Sequence, residues 1–192
     1  MLAERTLRAA LRTIALVRVE GPFHRFVELG RVLDTLATGQ RLLIPMGAYA
    51  VGGRFTPPRR FPTLYVAREA TTALHEAEGE LPDAVQRAYT HFAVRGVLID
   101  VLDLTARTTL EGLELTEAEV RAPWRWSQGL GREASTQTLG RLAHASRRIQ
   151  GILYPSTMQS GGQCVAIFPA RVATPSDLAI ADDTGVLSDH LP

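Results

Sequence analysis

Leu7, Ala10, Leu11 and Ile14 recur at helical spacing, so residues 3–18 are expected as an amphipathic helix. In PFHRFVEL, residues 22–29, Phe23, Arg25 and Val27 alternate with His24, Phe26 and Glu28, the period of a strand. Pro45, Gly47, Gly52, Gly53, Pro57 and Pro58 divide the next stretch into turns and short extended pieces. TLYVA at 63–67 reads as a strand. In the EATTALHEAEG that follows, Ala70, Ala73, Leu74 and Ala77 make one helical face, with Glu76 at its border.

The β-branched run RGVLIDVLDLT, residues 95–105, fits a largely buried strand. Thr116 with Glu119 three positions on forms a capping box, opening a short helix that Pro123 stops. Residues 135–151 place Leu139, Leu142, Ala143, Ser146 and Ile149 on one face, with Arg147 and Arg148 in the last turn and Gly151 as the stop. GILYP and CVAIFP then read as two strands joined by a Ser/Gly/Gln loop. Strands and helices mix without a βαβ rhythm, so the expected class is α+β in one domain.

The length, 192 residues, suits that single domain with its own core. Lys+Arg 21 against Asp+Glu 20 leaves a net charge of +1, which argues against direct nucleic-acid binding through phosphate neutralisation. The chain has no Lys, so Schiff-base and phosphate-loop lysine chemistry are excluded, while Arg keeps anion recognition open. The single Cys164 excludes an internal disulfide and fits a reducing compartment. Arg5, Arg8, Arg12 and Arg18 interrupt the N-terminal apolar positions, so no signal peptide is expected. The uncharged run between Arg148 and Arg171 carries Pro155, Gln159, Gly161, Gly162 and Gln163, so no membrane helix is expected there, and the location is expected to be cytoplasmic.

Most motifs read as structure. GLGREA at 129–134 has the Gly-x-Gly-x-x-Ala spacing of a dinucleotide turn but lacks a preceding strand, so a plain loop is expected. The five histidines are scattered, and no metal site is expected. A Gly-x-Ser-x-Gly elbow is absent. What stands out is a set of polar residues in apolar or tightly turning segments: Arg25, Arg54 after Gly52-Gly53, Tyr65, Glu76 and Ser156.

Two stretches carry a resemblance: GGRFTPPRRFPTLYVAREATTALHEA at 52–77, and GILYPSTMQSGGQCVAIFP at 151–169. Together they resemble the RES-domain family, over roughly residues 22–185, leaving residues 1–20 as an N-terminal helical extension to a domain at 21–192. The family's Arg, Glu and Ser match Arg54, Glu76 and Ser156, its strand tyrosine matches Tyr65, and its opening arginine matches Arg25. Phe26 stands where a hydroxylated aromatic often follows, and Gln163 stands where many members have Asn.

The resemblance implies an ADP-ribosyltransferase-like fold, with a mixed β core flanked by helices, and a reaction on NAD without metal. It implies a toxin that cleaves the nicotinamide–ribose bond by hydrolysis or phosphorolysis and is neutralised by an Xre-type helix-turn-helix antitoxin. Glu76, Arg54 and Ser156 are implied as catalytic, with Arg25, Arg54, Tyr65, Ser156 and Gln163 binding NAD. Two alternatives stay open: a protein ADP-ribosyltransferase, and an NAD-binding module whose site has decayed, for which Phe26 and Gln163 are the hints. The N-terminal helix and the apolar positions around Trp124 and Trp126 are candidates for homodimer or antitoxin contacts, a core place for the tryptophans being an equal expectation. The acidic C-terminal part, Asp177, Asp182, Asp183 and Asp189, is expected as a solvated strand-and-turn segment.

Overall fold

The computed structural model describes residues 1–79, 87–182, 187 and 189–192. In chain order the elements begin with α1 (Glu4–Thr13), β1 (Val17–Glu20), β2 (Phe23–Glu28), α2 (Leu29–Ala37) and α3 (Met46–Val51). β3 (Leu64–Ala67), α4 (Ala70–Glu78), β4 (Tyr89–Asp103), α5 (Arg107–Gly112) and α6 (Glu117–Arg121) follow. The chain then continues with α7 (Trp124–Gly129), α8 (Ser135–Ala145), β5 (Gly151–Pro155), β6 (Gln163–Ile167), β7 (Asp177–Ile180) and β8 (His190–Leu191).

One mixed sheet holds these strands in the order β2-β3-β6-β5-β4-β7-β8, with β1 on β4 and a further β2–β4 pairing that brings the sheet back on itself. Only β4–β5 is parallel among these pairs. The mixed α+β architecture is the expected one. β4 serves two sets of partners. Its first part, Tyr89 to Val94, pairs with β2, and its later part, Val97 to Val101, pairs with β1. Gly96 lies at the change-over with φ +139°, where a Cβ would stand 2.1 Å from the Asp177 carbonyl. No side chain fits there.

The central strands are covered on both faces, which is why GILYP is buried throughout. Ile152, Tyr154, Cys164 and Ala166 face one core, shared with Leu7 and Leu11 of α1 and Leu139 and Leu142 of α8. Leu153, Val165 and Ile167 face the other, with Phe23, Leu64, Phe92 and Leu178. The segment 1–20 thus contributes α1 to the first core and β1 to the sheet.

Several expectations need correction. The first helix stops at Thr13, because Val17 and Val19 join a strand of their own against β4. The stretch expected as turns holds the short helix α3, and α2, α5 and α7 are helices that the apolar pattern does not announce. The strand expected at 95–105 starts at Tyr89. α8 ends at Ala145, and Arg147, with φ 62°, turns the chain. Gly151 is no helix stop: it opens β5, where a Cβ would lie 2.9 Å from the Ala166 carbonyl.

The capping box stands as expected, Thr116 Oγ1 accepting from Glu119 N–H at 3.2 Å and Glu119 Oε2 from Thr116 N–H at 2.8 Å. Asp189 is not solvated. Its side chain is 9% exposed and accepts from Arg41 Nε at 2.9 Å and Leu43 N–H at 2.9 Å, pinning the C-terminal strand to the loop after α2. Asp183 lies outside the described residues. No helix among them is long and apolar enough to cross a membrane.

Candidate functional site

Strands β2 and β3 meet at a single register pair, His24 with Ala67. Antiparallel pairing continued from there would put Phe26 opposite Tyr65, and no pairing occurs at that level. The strands therefore separate. A cleft of about 570 Å³ opens there, walled by α4 on one side and by the α6–α7 connection on the other.

Glu76 comes to this cleft from the exposed flank of α4. Its Oε1 accepts from Ser156 Oγ at 2.6 Å and from Thr157 N–H at 3.3 Å. Ser156 is fully buried at the end of β5, and its Oγ accepts in turn from the N–H groups of Met158 and Gln159, each at 3.1 Å. The serine hydroxyl is thereby saturated, and it touches Glu76 from behind the cleft wall. Arg121 Nη1 donates to the Ser156 carbonyl, and its Nε donates to Glu117 at 2.7 Å.

Arg54 closes the same wall. Nη1 donates to the carbonyls of Val120 at 2.8 Å and Ala122 at 3.0 Å, at the C-terminal end of α6, and Nη2 donates to Thr157 Oγ1 at 3.2 Å. Gly53 precedes it because a Cβ there would lie 2.6 Å from the Tyr65 hydroxyl. That hydroxyl accepts from Phe55 N–H and pairs with Thr56 Oγ1, each at 3.0 Å, and burial holds its pKa up to about 12. It stays a protonated phenol.

Arg25 differs from the other arginines of the site. Its Nη1 is buried and has no hydrogen-bond partner, and burial, then the charge of Arg31, draws its pKa down to about 10. Arg25 also lines the cleft, and a guanidinium that stays charged there suits an anion. The cleft is lined by Arg25, Arg31, Arg54, Arg121 and Arg125, and among its described residues Glu76 is the one carboxylate. A chain of net charge +1 thus concentrates cations here.

The structure brings Arg25, Arg54, Tyr65 and Glu76 together around one cleft and sets Ser156 directly behind Glu76. Gln163 opens β6 opposite Pro155 and is not among the lining residues. Arg121, Thr157, Arg31 and His24 were not singled out from the sequence. Nothing local marks them, since their roles arise from contacts with distant segments. Trp124 also lines the cleft, with the Arg125 guanidinium 4.7 Å from its ring centroid, while Trp126 is 72% exposed. No group of three or more His, Cys, Asp or Glu among the described residues is arranged to hold a metal ion.

A family model for the RES domain matches residues 11–187. The fold is similar to that of a chain in the crystal structure of the M. tuberculosis MbcT–MbcA toxin–antitoxin complex, with a TM-score of 0.66 and 22% identity. That likeness covers 94% of this chain and 92% of the other. No curated protein matches the chain.

Proposed function

The chain belongs to the RES-domain family, and from that premise and the cleft geometry we propose that it is the toxin of a type II toxin–antitoxin pair, consuming NAD by cleaving its nicotinamide–ribose bond. The observation that carries this reading is Glu76, a carboxylate presented to a cationic cleft and held through Oε1 by Ser156 and Thr157. When the bond from ribose C1′ to nitrogen breaks, its electron pair leaves on the nicotinamide, and positive charge develops on the ribose. A fixed carboxylate stabilises that charge.

The other residues serve binding and order. Arg25, whose Nη1 lacks a partner, holds the pyrophosphate. The Tyr65 ring packs against the reacting end, fixed by its hydroxyl contacts. Ser156 acts through Glu76, as a positioning residue, and Arg54 secures the wall that carries Thr157. Water, phosphate and a protein acceptor share the bond-breaking step, so the products distinguish hydrolysis, phosphorolysis and ADP-ribosylation. In this reading the toxin works in the cytoplasm and is held inactive by an Xre-type antitoxin.

The test is nicotinamide release from NAD by the purified chain, free of partner, with and without phosphate or a protein extract. Release is expected, with a loss on the order of 10²–10³-fold in Glu76→Gln. Tight NAD binding without release by the folded protein would replace this reading with that of a binding module. Full activity in a folded Glu76→Gln would overturn the site.

A further inference from the structure

At the vertex where β2 and β3 part, the His24 Nδ1 lies 3.0 Å from Nε2 of His91 on β4. The two rings lie edge to edge and nearly coplanar, with centroids 5.1 Å apart and planes at 20°, and Phe26 stacks on the same His91 at 4.6 Å and 17°. His24 lines the cleft, whereas His91 is exposed to solvent. The pair therefore connects the cleft to bulk water through a single hydrogen bond. We propose that His24 is the base that takes the proton from the water attacking ribose C1′, with His91 passing that proton to solvent. This rests on the NAD-cleaving reading above.

The balance closes on one proton per NAD hydrolysed. The water oxygen bonds C1′, and the C1′–nitrogen bond breaks with its pair going to nicotinamide. The water proton moves to His24 Nε2. The proton on Nδ1 passes to His91 Nε2, and His91 releases its own Nδ1 proton to bulk. After product leaves, His24 Nε2 gives its proton to water in the open cleft and His91 Nδ1 takes one from bulk. The Nε2 proton of His91 then returns to His24 Nδ1, which restores the starting tautomers with one proton released in all. Only neutral rings can start this relay, each with one donor and one acceptor nitrogen.

The surroundings favour the neutral form of His24. Burial, then the neighbouring His91, holds its pKa below the ordinary value, against the opposing pull of Glu69 at the entry to α4. From the elements around it, α4 presents Glu76, β3 Tyr65 and α2 Arg31 to the same cleft, and Arg25 is its neighbour on β2. Glu76 is committed through Oε1 to Ser156 and Thr157, which suits it to holding charge and leaves the proton to another group.

The test compares His24→Gln and His91→Gln with the wild-type chain in nicotinamide release from pH 5 to 8, in water alone and with added azide. Azide attacks as an anion and has no proton to lose, so it needs no base. In water, His24→Gln is expected to lose on the order of 100-fold and to lose the acidic limb of its pH profile; azide should restore most of the rate. His91→Gln is expected to lose about tenfold and to shift that limb. An unchanged rate and profile in His24→Gln, or a loss that azide does not relieve, overturns the relay while leaving the NAD reading intact. A wild-type chain that releases nicotinamide only with phosphate or a protein acceptor overturns the relay alone, and one that releases none in any of these conditions overturns both.

Discussion

The Ser156 hydroxyl donates to Glu76 Oε1 at 2.6 Å across 80 positions of sequence, and the same oxygen receives the N–H groups of Met158 and Gln159 at 3.1 Å each. One buried hydroxyl thus sets a carboxylate and orders a turn. Ser156→Ala orphans two N–H groups and is expected to cost about 1–3 kcal/mol of stability. It should also slow nicotinamide release. Glu76→Gln, on an exposed helix flank, is expected to change stability by no more than about 0.5 kcal/mol while removing most activity. Urea denaturation beside the release assay separates the two; a wild-type rate in Ser156→Ala would show that Glu76 is oriented without it.

Arg54 joins α6 to the turn at Thr157 through three hydrogen bonds. Arg54→Ala leaves the Val120 and Ala122 carbonyls without this donor and is expected to destabilise the fold by about 2 kcal/mol. Arg54→Lys keeps the charge but lacks the planar fork that reaches both sides, so it should recover only part of the loss. The urea midpoints of the two variants check this; equal and wild-type midpoints would deny Arg54 its structural role.

Gly140 sits inside α8, where alanine ordinarily gains about 1 kcal/mol over glycine. Here a Cβ would stand 1.9 Å from the Phe55 carbonyl oxygen. Backbone cannot swing aside like the end of a side chain. Gly140→Ala is therefore expected to destabilise by about 3 kcal/mol or more, and to disturb the turn after Arg54. A thermal midpoint at or above wild type would contradict this close packing.

His144 stacks on Phe61 at 4.0 Å and 1°, with Phe168 edge-on at 5.4 Å. Burial, then the charge of Arg171, draws its pKa from 6.5 to about 4. The unfolded chain takes up a proton near 6.5 that the folded one refuses until about 4, so this contribution is complete above 6.5 and lost as pH falls towards 4. His144→Phe keeps the stack and removes the titration. Urea midpoints at pH 7 and pH 5 should fall less in that variant than in wild type, and equal falls would show that other groups govern this window.

The amino-acid sequence determined the parts whose causes are local. The alternation in FHRFVE, the Thr116–Glu119 box, the apolar face of α8 and the wholly apolar GILYP each form their element because neighbouring residues suffice to define it. The ordered series Arg25, Arg54, Tyr65, Glu76 and Ser156 was likewise readable as a family pattern. Weakly patterned helices such as α3 and α7 escaped, since their stability comes from tertiary contacts, as in the bond from Gln128 to the Val51 carbonyl at 2.9 Å.

Tertiary structure alone decided how the site is built. The parting of β2 and β3, the unpartnered Nη1 of Arg25, the placing of Ser156 behind Glu76 and the His24–His91 pair all join residues that lie far apart in the chain or depend on where strands diverge. Asp189 reads from the sequence as a solvated acid, and in the fold Arg41 and Leu43 hold it. Residue type and spacing set what a side chain is able to do; packing sets which partner it meets, and only then whether a group is free to act on a ligand.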